Sequence, residues 1–129
     1  MHINKGLAGA AADAVERGRE TSTHPAVYDA AALLILVARK KGVFPGITGL
    51  EPDLNEAEEK AGRIGAAMQI IRSLTPGAGT YANEADYFEK SWQEEFWGPH
   101  YPQLLEIKKR QDPDGLFRCH HSVGSELLG

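Results

Sequence analysis

In the run YANEADYFE, Tyr81, Asn83, Glu84 and Asp86 lie within six residues of one another. On an extended segment Tyr81 and Asn83 would project from the same face. A tyrosine set among polar groups can work as a general base when a nearby cation lowers its pKa from the ordinary value of about 10. A plainer reading stands beside that one: Tyr81 packs in a core with its hydroxyl bonded to backbone, and Glu84 and Asp86 are surface carboxylates next to a turn. A second group, Cys119, His120 and His121, has donor types suited to a metal or a thiol nucleophile. On an extended chain Cys119 and His121 share a face and His120 points away, so the three do not converge on one ion. Further ligands would have to come from His2, His24 or His100, at no recognisable spacing, and the pattern predicts no metal site. GAGT at residues 77–80 has the glycines of a phosphate loop but follows a helix instead of preceding one.

Tyr81, Asn83, Glu84 and Asp86 belong to a stretch, Tyr81 to Gly115, that also holds Tyr87, Phe88, Phe96, Tyr101 and both tryptophans. Large aromatics at that density are buried or placed at ligand surfaces. Small residues over Gly6 to Val15, with Asp13 and Glu16 on the polar side, predict a helix running to about Thr21, after an extended tail at His2 to Lys5. Pro25, in a first helical position behind Thr23 or His24, opens a second predicted helix that ends at Gly42 and is apolar on most sides, hence buried. The prolines and glycines of VFPGITGLEP make Gly42 to Pro52 a loop.

Asp53 with Glu56 three residues on forms a capping-box pattern. Behind it Leu54, Ala57, Ala61, Ile64, Met68 and Ile71 make one apolar stripe opposite Glu59, Lys60 and Arg63, until Pro76 and Gly77 stop the helix. An extended piece at Gly79 to Ala82 and a helical turn near Ser91 to Phe96 follow. A last helix runs from about His100 to Arg110, with Tyr101, Leu104, Leu105 and Lys108 sharing a side, and Asp112, Pro113 and Gly115 end it. Leu116 to Val123 is predicted extended and the last six residues frayed. The fold class is therefore α+β, predominantly helical, with a few short strands that need partners elsewhere, because isolated strands leave ladder groups unpaired.

A chain of 129 residues, 42% hydrophobic and 25% charged, has the length and composition of one modest globular domain. Its net charge of -4 comes from 14 basic and 18 acidic residues, which predicts no face able to neutralise a phosphate backbone, and Lys108, Lys109 and Arg110 read as a solvated helix face. Nucleic acid is not an expected partner. One cysteine excludes an internal disulfide framework, and Cys119 is expected to be inert and buried. The alanine-rich start, broken by Asp13, Glu16 and Arg17, is neither a secretory apolar region nor a membrane span, and the run Ala30 to Ala38 is too short to cross a bilayer.

The succession GTYANEADYFEKSWQEEFWG, HYPQLLEIKKRQDPDGLF and HHSVGSE resembles the C-terminal berberine-bridge-enzyme-like segment of FAD-linked oxidases of the vanillyl-alcohol-oxidase class. The N-terminal MHINKGLAGA and the EPDL-led helix resemble the stretch before it, so the resemblance covers nearly the whole chain and is strongest from Gly79 to Glu126. It implies two regions: 1–75, the helical tail of a substrate domain, and 76–129, the berberine-like segment. It also implies FAD as cofactor, with most contacts made by an N-terminal domain that this sequence lacks, and a small-molecule substrate oxidised by hydride transfer from a C–H bond. By the same resemblance Tyr81 falls at an active-site tyrosine that helps deprotonate a substrate hydroxyl, and Asn83 belongs to its motif on the flavin side. Tyr101 corresponds to the tyrosine of a GxNY pattern near the flavin ring, and His100, after Pro99, stands where that pattern has asparagine, an imidazole in place of an amide. Gln111 replaces a frequent tyrosine before DPDG, and Ser122 a usual glycine.

The resemblance implies a fragment of an FAD-dependent oxidoreductase, a truncated gene product or half of a split enzyme, inactive without its flavin-binding domain; the expected partner is that domain in trans or a second copy of the chain. Two other readings stay open from the residues: a small non-enzymatic helical interaction module presenting the stripe of the Asp53 helix, and a metal-dependent catalyst using the histidines.

Overall fold

The computed structural model describes residues 9–39 and 42–128, which fall into two compact units, 34–76 and 9–33 with 77–128. The expected extended tail at His2 to Lys5 and the first residues of the predicted N-terminal helix lie outside the described residues. The fold is mostly helical, as expected. Among the described residues there is no strand, only an isolated bridge residue at Leu33, so the expected short strands are absent.

In the 34–76 unit, helix α2 spans Leu54–Leu74 and starts as its sequence dictates: the Asp53 side chain accepts from Glu56 N at 3.0 Å. That bond satisfies one of the amides that open every helix. Its stripe is only half used. Ile64, Met68 and Ile71 are partly covered, but Ala57 and Ala61 are exposed, and Leu54 and Leu74 leave about three-quarters of their surface open. Lys60, expected on the solvent side, is instead half-buried, its Nζ donating to Arg39 O at 2.9 Å and to Glu56 Oε1 at 2.6 Å. The Gly42 to Pro52 loop is as predicted; it closes on itself through Phe44 N to Leu50 O at 2.8 Å and Leu50 N to Ile47 O at 2.9 Å.

In the other unit, α1 spans Ala12–Arg19, shorter than predicted, because Gly9 takes a φ of 84° that no helix continues through. The predicted helix from Pro25 to Gly42 is not formed. His24 caps a 3-10 turn over Pro25–Tyr28, and Asp29 closes it, its carboxylate drawn to Arg19 by two bonds of 3.0 and 2.7 Å. The apolar run beyond has no polar face, so it carries no helical period to enforce. Nor is it buried throughout, since Leu34 is half-exposed and Val37 is mostly open.

Helix α3, Trp92–Trp97, runs through a 3-10 turn at Gly98–His100 into α4, Tyr101–Gln111. Tyr101, Leu104, Leu105 and Lys108 form the partly covered side of α4, as the period predicts. Trp92 and Phe96 are the apolar side chains buried among the described residues. After α4 the predicted extended run from Leu116 to Val123 is a series of turns, with His121 at a φ of 55° and Ser122 N bonded to Cys119 O. The end does not fray as expected: Gly124 is buried and Ser125–Leu128 form a 3-10 turn.

Asp53→Ala should cost about 1 kcal/mol of α2 stability. Amide exchange should accelerate in the first turn of α2 and stay unchanged in α4.

Candidate functional site

Tyr81 enters the candidate site from a segment tied down one residue earlier. Thr80 N donates to Glu95 O at 2.7 Å, and Thr80 Oγ1 donates to Glu95 Oε2 at 2.9 Å. The chain then turns through a 3-10 segment at Ala82–Glu84 in place of the expected extended one. The turn still brings Tyr81 and Asn83 together, with Asn83 Nδ2 donating to Tyr81 Oη at 2.8 Å. Tyr81 is half-exposed and its hydroxyl is met by a side chain, so the alternative of a core tyrosine bonded to backbone does not hold. Glu84 and Asp86 do not form an acid pair: both are exposed, and Asp86 Oδ1 is taken by Phe88 N at 2.9 Å.

Tyr101 has a different environment. Its hydroxyl donates to Glu126 and accepts from Gly124 N at 3.2 Å, so the oxygen is committed on both sides. Burial, reinforced by that carboxylate, pushes the phenol up to about 12. One residue before, His100 is half-buried and its Nε2 is withdrawn from water with no hydrogen-bond partner. Most buried polar atoms are paired, so this ring nitrogen is an exception among the described residues. A cleft of about 490 Å³ opens along Lys90, Ser91, Gln93, Glu94, Gly98, Pro99, Tyr101 and Pro102. Another cleft, about 590 Å³, belongs to the 34–76 unit around Arg39, Leu50, Glu51 and Lys60 and includes none of the candidate site residues.

Between these residues runs a chain of rings. Trp92 lies edge-on to Tyr101 at 5.6 Å and to Trp97 at 5.9 Å, and parallel to His121 at 5.4 Å. His121 stacks on His120 at 3.7 Å, and His120 on Tyr87 at 3.9 Å. The left-handed backbone at His121 makes this possible; on the extended chain expected from sequence the two imidazoles would diverge. Burial pulls His121 below its ordinary value of 6.5, and neighbouring His120 adds to the shift. Among the described residues no group of three His, Cys, Asp or Glu side chains is placed to hold a metal ion, and Cys119 is exposed, not buried as expected.

The turn after α4 is built by Asp112, whose carboxylate accepts from Leu116 N at 2.8 Å, Phe117 N at 3.0 Å and Lys108 Nζ. Lys108, with those backbone amides, holds the Asp112 carboxyl down to about 2. Neither this role nor that of Glu126 follows from sequence spacing. DPDG marks a turn without saying which donors its aspartate takes, and Glu126 meets Tyr101 across 25 residues.

A family model described as "Berberine and berberine like" matches residues 80–124. The chain is 40% identical over 113 residues to the FAD-linked oxidoreductase ffsJ of Aspergillus flavipes, covering 87% of this chain and 17% of that protein. It is 37% identical over 115 residues to the FAD-linked oxidoreductase easE of Epichloe festucae var. lolii, covering 88% and 18%. With the VAO-type flavoprotein oxidase VAO615 of Thermothelomyces thermophilus it shares 39% identity over 74 residues, covering 54% and 13%. The chain thus spans less than a fifth of the length of these curated relatives. No solved structure matches.

Glu126→Gln should bring the Tyr101 phenol part of the way from about 12 towards 10, with burial holding the remainder, as read by carbon NMR of the labelled ring. An unmoved midpoint would remove Glu126 as a cause. The Asp112 carboxyl lies below its unfolded value of 3.8, so its contribution to stability is complete above that pH and is lost as pH falls towards about 2. Asp112→Asn should abolish this part of the acid transition, followed through the amide signals of Leu116 and Phe117.

Proposed function

Because this chain carries, at residues 80–124, a berberine-like domain of the kind found in FAD-linked oxidases, we propose that it is the C-terminal part of an FAD-dependent oxidoreductase. On this reading it acts on a small-molecule substrate only when docked against a flavin-binding lobe. The observation that carries the reading is identity of 36–40% to FAD-linked oxidoreductases over more than four-fifths of this chain, while the chain spans only 16–18% of them. The exposed apolar surface agrees: Leu116 and Phe117 are each 76% exposed and Phe88 72%.

The residues fit a flavin on one side only. His100 Nε2 is an unpaired ring nitrogen able to bond a polar edge of the cofactor, and Asn83 offers an amide beside Tyr81. We assign His100, Asn83 and Tyr101 to the cofactor side and Tyr81 to the substrate. Bound FAD would supply the redox chemistry, accepting a hydride from a substrate alcohol or amine C–H and being reoxidised, commonly by dioxygen. The two tyrosines divide their roles by environment. Tyr101, with its proton held to about 12 and its oxygen committed to Glu126 and Gly124, positions the Trp92 and Trp97 rings and takes no proton. Tyr81 is open to a ligand. Asn83 donates to one lone pair of its oxygen and leaves the rest of the hydroxyl to the substrate; once the hydroxyl has given its own proton to solvent, the phenolate oxygen receives the proton of the substrate's reacting group.

A small helical interaction module is the second reading, favoured by the open apolar side chains of α2, Leu54, Ile70 and Leu74. Sedimentation separates the two, since a module of this kind should self-associate or capture a partner whether or not flavin is present.

The chain expressed alone and mixed with FAD should show no stoichiometric flavin spectrum, and adding a flavin-binding lobe from a relative should produce one. Tight one-to-one binding by the chain alone would overturn the proposal. In the assembled protein Tyr81→Phe should slow flavin reduction by about 10²–10⁴-fold with flavin affinity unchanged. An unchanged rate would remove Tyr81 as the proton acceptor.

A further inference from the structure

We infer that His24 is a positioning residue, an imidazole spacer that sets the separation between the chain leading into Tyr81 and the turn leading into His100 and Tyr101. The functional reading above is needed only for what those two segments do. A Cβ built on Gly79 would lie 2.6 Å from His24 Cγ and Nδ1, and one on Gly98 would lie 2.8 Å from its Nε2. Both are closer than side-chain carbons approach other atoms. The ring therefore packs directly on two backbones that have no side chain to interpose, over Cγ, Nδ1 and Cδ2 at Gly79 and against Nε2 at Gly98. Gly98 is bound to be glycine twice over, since its φ of 52° also disfavours any other residue.

The ring does not hang freely. His24 Nδ1 accepts from Ala26 N at 3.1 Å, which fixes its orientation and caps the turn at Pro25–Tyr28. That turn is braced on α1 by Tyr28 Oη donating to Gly18 O at 2.5 Å, by the paired bonds from Arg19 to Asp29, and by the Arg19 guanidinium 5.3 Å over the Tyr28 ring. Gly18 leaves the space for it, because a Cβ there would lie 2.9 Å from Tyr28 Oη. The spacer is thus mounted on a stiff hook from a part of the chain that lies outside the family-matched residues 80–124. From Gly79 it is two residues to Tyr81, and from Gly98 two to His100. Shifting the ring would move both segments, and the tie from Thr80 to Glu95 would then hold Tyr81 in a changed register to α3.

His24→Asn keeps a short side-chain acceptor for the cap and removes the ring. It should leave helix content unchanged and lower the exchange protection of the Thr80 amide about tenfold. It should also shift the Asn83 side-chain amide and the Tyr101 ring signals, with the α4 amides unaffected. Wild-type signals at Thr80, Asn83 and Tyr101 would overturn the spacer. The Gly79→Ala change gives an independent measure: it should lower the melting temperature in the natural chain but not beside His24→Ala, and equal loss in both backgrounds would also overturn it. With a flavin lobe supplied, His24→Asn should slow flavin reduction without weakening flavin binding, and an unchanged rate would end the positioning role. An assembly that takes up no flavin would overturn the functional reading alone, leaving exchange and melting to decide the spacer.

Discussion

Trp92 meets Tyr101 and Trp97 edge-on and His121 face-on, and with Phe96 it is the large apolar surface buried among the described residues. Three segments separate in sequence, α3, the start of α4 and the turn at His121, are held by contact with this one indole. Edge-to-face and offset contacts of this kind add about 0.5–1.5 kcal/mol each to the gain from area alone. In a unit with so little buried apolar surface, those increments decide whether the segments keep one arrangement. The left-handed His121 is tolerated for the same reason: the stacked imidazoles and the buried indole compensate a backbone conformation that costs about 1–2 kcal/mol.

Around this cluster, polar groups do the work that a larger core does elsewhere. Asp112 gathers two amides and Lys108 into one turn, and Lys108 Nζ also reaches Phe117 O at 2.5 Å. Glu126 and the Gly124 amide lock the Tyr101 hydroxyl. These bonds tie the turn after α4 and the C-terminal segment together, while Leu116, Phe117, Tyr87 and Phe88 remain on the outside. Among the described residues, His100 Nε2 is the buried side-chain atom left without a hydrogen-bond partner.

Where local chemistry decides the outcome, the residues told the fold in advance. α2 begins at Asp53 because a carboxylate three residues ahead of an amide caps it, and α4 covers Tyr101, Leu104, Leu105 and Lys108 because three- and four-residue spacing leaves no other side. The run from Ala30 to Ala38 failed as a predictor because a segment apolar all round has no period, and its fate is set by what packs on it. The neighbourhood of Tyr81 and Asn83 was legible at a spacing of two, although a 3-10 turn and not a strand brings them together. The stacked His120 and His121, the bond from Tyr101 to Glu126 and the seat of His24 depend on a positive φ or on contacts across 20 or more residues, and no local pattern encodes them.

The seat of His24 also bears on how such a protein can be recombined. A chimera joined just before Gly79 would inherit both glycines but receive whatever side chain the recipient presents against them. A bulkier one would wedge the backbones apart and a smaller one would let them collapse. Residues 24, 79 and 98 therefore form one heritable unit, and a breakpoint that divides them should yield misregistered hybrids even when both parents are close in sequence.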